Sequence, residues 1–169
     1  RTSYGAGFGA AAQHSQALYP MFAHIPGIKL ALPSNAYDAK GLLAAAIRDE
    51  DPVIFFEHKA LYDEACEVPD ESYVLPFGEA AVVREGKDCC IVAFGHMVQL
   101  AKQAAVILAR EGIETTIVDP RTIAPLDTDT IVEAIAGCGR LVVVDEASPV
   151  CGMASEIAAL AATECPRAL

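Results

Sequence analysis

The amino-acid sequence predicts an α/β fold in which parallel sheets carry helices on both faces. Short apolar runs typical of buried strands alternate along the chain with stretches of helical periodicity. Proline, glycine and acidic clusters separate these segments, as expected of turns. The chain has 169 residues, of which 53% are hydrophobic, so it can form a core and is not a disordered polymer. Its length is typical of one domain or of two small ones.

The first part of the chain predicts one β-α-β crossover, preceded by a short helix. The expected elements are a helix over 18–25, a strand over 28–32, a helix over 36–48 and a strand over 53–56. Pro26-Gly27 ends the first helix, and Ser34 or Asn35 is the expected N-cap of the second. Enough residues separate the two strands for a parallel connection through the helix.

Residues 58–77 interrupt this pattern, because they are rich in Asp, Glu and Pro and have no steady period. We therefore expect an interdomain linker on the surface, between one domain over 1–57 and another over 78–169. After the linker the alternation of strands and helices resumes. The expected strands cover 80–84, 89–94, 114–118 and 141–144, and the expected helices cover 98–110, 128–136 and 153–162.

Loops that follow three of the strands are candidate ligand sites, because parallel sheets bind ligands at the carboxyl ends of their strands. The candidates are Phe94-Gly95-His96, Asp119-Pro120-Arg121-Thr122 and Asp145-Glu146-Ala147. In the second loop, Arg121 can bind an anion or can pair with Asp119 or Asp127. From the residues alone, ion pairing at the surface is the simpler interpretation.

Composition excludes several classes of protein. A net charge of -11 and a pI near 4.6 argue against a nucleic-acid partner, which needs a basic surface. No apolar run resembles a transmembrane helix, so no membrane partner is expected. The cysteines have no metal-binding spacing and are expected to be reduced core thiols of a cytoplasmic protein. They are Cys66, Cys89, Cys90, Cys138, Cys151 and Cys165.

His14 lies between a glycine-rich stretch and the start of a helix. A histidine at such a junction can face a cleft and titrate near neutral pH, although its spacing alone favours a structural or capping role. The glycines before it do not form a phosphate-binding loop, since they lack the required spacing and a preceding strand. His58 stands at a strand end beside Glu57 and Lys59, which predicts either a cleft lip or a plain surface.

The acidic run Asp49-Glu50-Asp51 suggests a cation site. The residue pattern of an EF-hand calcium site is absent. The alternative to a cation site is a helix end whose carboxylates are solvated. Carboxylates are unfavourable at the carboxyl end of a helix, which indicates that a positive charge lies nearby.

Several segments, in order along the chain, resemble the β subunit of the thiamine-diphosphate-dependent E1 component of 2-oxo acid dehydrogenase complexes. They are Gln13-His14-Ser15-Gln16, His24-Ile25-Pro26-Gly27, Asp38-Ala39-Lys40-Gly41-Leu42, Pro52–Lys59, Leu61-Tyr62, Arg121–Asp127 and Val142–Ala147. Within that family, the segments Phe55–Asp63 and Ser155–Leu160 look most like the acetoin dehydrogenase branch.

The resemblance implies the end of a thiamine-type pyrimidine domain over 1–57, the linker over 58–77, and a truncated transketolase C-terminal-like domain over 78–169. It implies cleavage of acetoin and transfer of the two-carbon unit to the lipoyl group of an E2 acyltransferase. Pyruvate or another 2-oxo acid is the alternative substrate. The alternative to an enzyme subunit is a non-catalytic module that only docks the E1 α subunit and E2.

The resemblance also implies a cofactor and partner subunits. Thiamine diphosphate with magnesium would be shared with the α subunit of an α2β2 heterotetramer, and its main ligands would lie outside this chain. The glutamate that activates the aminopyrimidine ring is expected upstream of Arg1. The chain is therefore expected to be a fragment that is inactive in isolation.

Two sites follow from the same resemblance. His14 matches the family's active-site histidine, which is thought to transfer protons around the lipoyl-acylation step. A potassium ion is expected at the end of the helix over 36–48, bound largely by backbone oxygens. The matching positions are Ala46, Ile47, Asp49 and Asp51.

Overall fold

The structure is a computed structural model that describes residues 1–7 and 9–168. Its strands are β1 (Thr2–Tyr4), β2 (Lys29–Ala31), β3 (Val53–His58), β4 (Ala81–Arg84), β5 (Cys89–Ala93), β6 (Thr115–Asp119), β7 (Thr122–Ala124) and β8 (Leu141–Val144). Its α-helices are α1 (Tyr19–Ala23), α2 (Ala36–Arg48), α3 (Met97–Arg110), α4 (Thr128–Cys138) and α5 (Met153–Glu164). Two short 3-10 turns cover Ala12–His14 and Lys59–Leu61.

The predicted α/β class is confirmed, with one difference in the sheets. The strands form two four-stranded sheets, ordered β1-β3-β2-β7 and β4-β6-β5-β8. Most neighbouring strands are parallel, but β7 pairs antiparallel with β2, and β4 pairs antiparallel with β6. Both exceptions lie at sheet edges, where an antiparallel strand needs no crossover helix. The predicted parallel arrangement thus holds for the inner strand pairs, and these two edges are antiparallel additions to it.

Helices cover both faces of the second sheet, and the alternation of side chains along β5 shows why. Cys90 and Val92 point into the core that contains α4 and α5. Ile91 and Ala93 point into a smaller core that contains α3. A strand buried on both faces needs a continuous apolar sequence, and β5 has one.

The two halves of the chain share one hydrophobic core. Tyr4, Leu30 and Phe56 from the first half lie in the same buried cluster as Val118 and Ile157 from the second. The backbone also connects the halves, because β7 completes the first sheet beside β2. The halves are therefore packed together rather than held by the linker alone.

The segment predicted as a surface linker has a mixed character. Residues 62–67 are exposed, as expected, whereas Leu75 and Phe77 pack against the small core beneath α2. Tyr73 stacks on Tyr37 with ring centroids 4.7 Å apart. A methyl group added at Gly41 of α2 would lie 2.6 Å from the Leu75 side chain, so glycine is what allows this close approach.

The six cysteines lie in different environments. All six cysteines are free, but Cys66 and Cys151 are exposed. The expectation that all six are core thiols was therefore wrong for these two, because both lie in irregular segments that face solvent.

Across residues 1–7 and 9–168, every helix is too short or too polar to cross a bilayer.

Candidate functional site

Polar side chains from both halves of the chain meet near the carboxyl ends of β1, β3, β5 and β8. His58 is the last residue of β3, Glu146 follows β8, and His96 precedes α3. The Nε2 atom of His58 lies 2.9 Å from Oε2 of Glu146. The imidazole rings of His58 and His96 stack with their centroids 4.7 Å apart. We call these three residues the His58 cluster.

The hydrogen bonds of His58 fix its tautomer. The backbone N–H of Ala60 donates to Nδ1 over 3.1 Å, so Nδ1 is an acceptor. In the neutral ring the proton is then on Nε2, from which it is donated to the carboxylate of Glu146. His58 is 2% exposed. The alternative of a plain surface was wrong, because the carboxylate that partners His58 comes from a segment 88 residues away.

Tyr4 and two glycines complete the packing around the His58 cluster. The Tyr4 ring meets the His58 ring edge-on at 4.9 Å. A methyl group added at Gly5, which has a φ of 98°, would lie 2.2 Å from Nε2 of His58. One added at Gly95 would lie 2.1 Å from the Tyr4 hydroxyl. The backbone therefore passes directly against both rings, which only glycine permits at these positions.

Burial changes the acid–base properties of the groups around the cluster. Burial, and then the neighbouring His58, lower the pKa of His96. Burial raises the pKa of Tyr19, whose hydroxyl donates to Oδ1 of Asp145. His96 and Tyr19 are therefore uncharged near neutral pH. This arrangement orders the loops that it joins, and it presents no exposed nucleophile.

A second buried polar network lies where β2, α2 and the β6–β7 turn meet. The side chain of Ser34 donates to Asp119 over 2.5 Å, and the backbone N–H of Arg121 donates to the same carboxyl over 2.9 Å. The guanidinium of Arg121 pairs with Asp38 at 2.8 Å.

Arg121 was expected to pair at the surface with Asp119 or Asp127. The structure differs both in the location of the ion pair and in the partner of Arg121. The side chains of Arg121 and Asp38 are 18% and 1% exposed, so the pair is largely buried. Asp127 instead caps α4, accepting from the backbone N–H of Thr130 over 3.0 Å. The partner Asp38 lies in the first half of the chain, where local sequence gives no indication of this contact.

Asp119 is a buried carboxyl with a strongly altered affinity for its proton. Burial raises its pKa to about 7, although the hydrogen bond from Ser34 opposes the shift. The neighbouring negative charge of Asp38 raises the pKa further.

The positive charge expected near the acidic run is Lys29. Its Nζ atom lies 2.8 Å from Asp49 and 3.0 Å from Asp51. The hydrogen bond from Lys29 lowers the pKa of Asp49. Ala46 and Ile47 lie in the last turn of α2, and the Ile47 side chain is exposed. Within residues 1–7 and 9–168, three or more His, Cys, Asp or Glu side chains nowhere converge as a metal site would require.

His14 lies outside both buried networks. It ends the 3-10 turn over Ala12–His14, and its side chain is exposed. Its backbone carbonyl oxygen accepts a hydrogen bond from Nζ of Lys59.

Part of these networks was predictable from the sequence. The loops 94–96 and 145–147, which were predicted from their place after strands, contribute His96 and Glu146 to the His58 cluster. The loop 119–122 contributes to the second network. Ser34 was interpreted only as a possible N-cap, and Asn35 has that role instead, since it accepts from the backbone N–H of Asp38.

The chain belongs to the transketolase C-terminal domain family, whose model matches residues 78–169. Residues 1–64 match the model of the transketolase pyrimidine binding domain. These matches confirm the resemblance on which the family assignment rested.

Curated relatives agree with this assignment. The β subunit of the acetoin:2,6-dichlorophenolindophenol oxidoreductase of Cupriavidus necator is 59% identical over 97% of this chain and 48% of the relative. The subunit of the same name from Bacillus subtilis is 52% identical over 96% of this chain and 47% of its own length. The Bacillus subtilis 2-oxoisovalerate dehydrogenase β subunit is 46% identical over 98% of this chain and 51% of the relative. The chain thus spans about half the length of these relatives.

Solved structures share the fold. A split-gene transketolase, described as an inactive β4 tetramer, superimposes with a TM-score of 0.80 at 28% identity, over 90% of this chain and 50% of the other. A transketolase of Pichia stipitis superimposes with a TM-score of 0.59 at 17% identity, over 80% of this chain and 21% of the other. The second similarity concerns the fold alone.

The carboxyl of Asp119 predicts a pH-dependent stability. Its pKa is about 7 in the fold and about 4 in an unfolded chain, so the folded state holds one more proton between these values and its stability falls as pH rises. We expect Asp119→Asn, which mimics the protonated carboxyl, to gain stability relative to the wild type across this range. The gain should be on the order of 1 kcal/mol per pH unit.

Urea unfolding of the wild type and the variant at a series of pH values measures this difference. Asp127→Asn is the control, because the pKa of Asp127 is lowered and its carboxylate caps a helix. A constant difference between Asp119→Asn and the wild type from pH 4 to pH 7 would show that Asp119 does not retain its proton.

Proposed function

We propose that this chain forms part of the β subunit of an acetoin-cleaving, thiamine-diphosphate-dependent E1 oxidoreductase. The observation that carries the proposal is the 59% and 52% identity to two acetoin oxidoreductase β subunits over nearly the whole chain. Relatives named for 2-oxoisovalerate and for pyruvate reach 46% and 47%. These substrates are therefore the second choice within the same reaction class.

Thiamine diphosphate is the cofactor that the family implies. When bound, it supplies the carbanion that attacks the substrate carbonyl. Among the described residues, no three acidic, histidine or cysteine side chains are arranged as a magnesium site requires, so they do not fit the magnesium that accompanies the diphosphate. The E1 α subunit is therefore proposed to hold that part of the cofactor.

His14 is the proposed catalytic residue of this chain. Its imidazole is exposed at the end of a 3-10 turn, where it can accept and release a proton at a neighbouring active site. The structure holds the backbone of this turn through Lys59 and leaves the side chain accessible.

An exposed apolar cleft supports a role in subunit assembly. The cleft, of about 840 Å³, lies between α1 and the loop before α5. Its lining includes Leu18, Met21 and Val150, which are 43%, 57% and 77% exposed. Apolar surface of this kind is typical of protein interfaces. We propose the E1 α subunit and the E2 acyltransferase as partners, in a complex of the cytoplasm. The alternative function is non-enzymatic: a module that only docks these partners.

A potassium ion at the carboxyl end of α2 is a further part of the proposal. Lys29 already binds the carboxylates of Asp49 and Asp51, so the ion would be bound mainly by backbone oxygens of Ala46, Ile47, Asp49 and Asp51. We expect the full-length protein to melt at a higher temperature in KCl than in LiCl of equal ionic strength. Equal melting temperatures in the two salts would argue against the site.

The substrate is tested with the full-length subunit assembled with its α partner. Acetoin, pyruvate and 2-oxoisovalerate are supplied separately with 2,6-dichlorophenolindophenol as electron acceptor. We expect the highest kcat/KM with acetoin. Turnover of pyruvate alone would assign pyruvate as the substrate in place of acetoin. No turnover with any of the three would favour the docking module.

The role of His14 is tested in the same assembled enzyme. We expect His14→Gln to lower lipoyl-dependent acyl transfer by about 100-fold, because the side chain can no longer carry the proton. Lys87→Gln, at an exposed residue between β4 and β5, is the control. Transfer by His14→Gln at the wild-type rate would assign His14 a structural role.

A further inference from the structure

The dipeptide His58-Lys59 contacts both ends of the glycine-rich stretch that leads to His14. At the first end, the backbone of Gly5 lies against the imidazole of His58, so closely that a methyl group there would be 2.2 Å from Nε2. At the other end, Nζ of Lys59 donates a hydrogen bond to the backbone carbonyl of His14. Neither contact is local in sequence, since 53 residues separate Gly5 from His58.

His58 is itself immobilised, so it is a rigid support for Gly5. Its Nε2 donates to Glu146 over 2.9 Å, and its Nδ1 accepts from the backbone N–H of Ala60 over 3.1 Å. The ring of His96 stacks on one side of it. Every polar atom of the His58 ring is paired, and the residue is 2% exposed.

Lys59 binds the end of the turn that carries His14. Within that 3-10 turn, the N–H of His14 donates to the carbonyl of Ala11 over 3.3 Å, and the N–H of Ser15 donates to that of Ala12 over 3.2 Å. The carbonyl of His14 lies beyond these bonds, because a helical turn leaves its last carbonyls unpaired. The ammonium group supplies that missing donor, and a charged donor makes the stronger kind of hydrogen bond.

We propose that Lys59 is a positioning residue that fixes the backbone of His14 for proton transfer. The inference rests on the proposed function of His14. Lys59 touches only the carbonyl of the turn, and it acts through His14 by limiting the directions in which the imidazole can point. Loss of the ammonium group should slow the step that uses His14 and leave substrate binding unchanged, because a misplaced catalytic group lowers kcat.

The test uses the full-length subunit assembled with its α partner and the lipoyl domain of E2. Lys59→Met keeps the length of the apolar stem and removes the donor, and Lys59→Arg keeps a charged donor. Lys87→Met, at an exposed lysine between β4 and β5, is the matched control. Each variant is first checked for assembly and melting temperature, and Lys59→Leu, which also lacks a donor, replaces Lys59→Met if the latter does not assemble.

Two measurements are made on each variant. For Lys59→Met we expect kcat of lipoyl-dependent transfer to fall about 10-fold, which corresponds to the loss of one charge-assisted hydrogen bond, with KM for acetoin unchanged. Lys59→Arg should restore most of kcat, and Lys87→Met should match the wild type. Hydrogen–deuterium exchange of the amides of His14 and Ser15 should be faster in Lys59→Met only.

The two measurements separate the inference from the function on which it rests. Unchanged exchange together with unchanged kcat in Lys59→Met would overturn the role of Lys59. Wild-type transfer by His14→Gln would overturn the proposed role of His14, and with it the catalytic consequence of the contact. A loss of kcat that Lys59→Arg does not restore would also overturn the inference, since the cause would then be a structural effect of the substitution.

Discussion

The antiparallel pairing of β7 with β2 joins the two halves of the chain, and the buried network of Ser34, Asp119 and Arg121 lies beside this join. Strand β7 follows β6 after two residues, yet it belongs to the other sheet. The backbone N–H of Leu32 donates to the carbonyl of Arg121 over 2.8 Å and extends the connection. Because these backbone bonds hold the β6–β7 turn against α2, the side chains of Arg121 and Asp38 can pair while largely buried.

Burial of polar groups between the two halves imposes a strict requirement. Each such group needs a partner, because an unpaired buried polar atom costs as much free energy as several good contacts contribute. Asp119 meets the requirement through Ser34 and the backbone of Arg121, and it retains its proton to about neutral pH. His58 meets it through Glu146 and Ala60. Each solution includes one partner from a distant segment, Ser34 for Asp119 and Glu146 for His58, so it also fixes how the halves are oriented.

Exposed and buried histidines have different parts in this arrangement. His58 is enclosed and fully hydrogen-bonded, whereas His14 presents its side chain to solvent. Lys59, next to His58 in sequence, connects the two environments through the carbonyl of His14. A rigid interior thus supports a short exposed turn, which is how reactive groups are commonly positioned on loops.

The sequence by itself determined the α/β class, the long helices and the central strands, because apolar periodicity and proline or glycine breaks are local signals. It also determined the family, through segments distributed along the whole chain. Strands β1 and β7 escaped prediction, since each has only three residues and lies outside the longer apolar runs that identified the other strands. Only the tertiary structure decided that His58 is buried, that Arg121 pairs with Asp38, and that Lys59 binds the turn of His14. The physical reason is that each of these contacts joins residues between 45 and 88 positions apart, and no local pattern encodes such a distance.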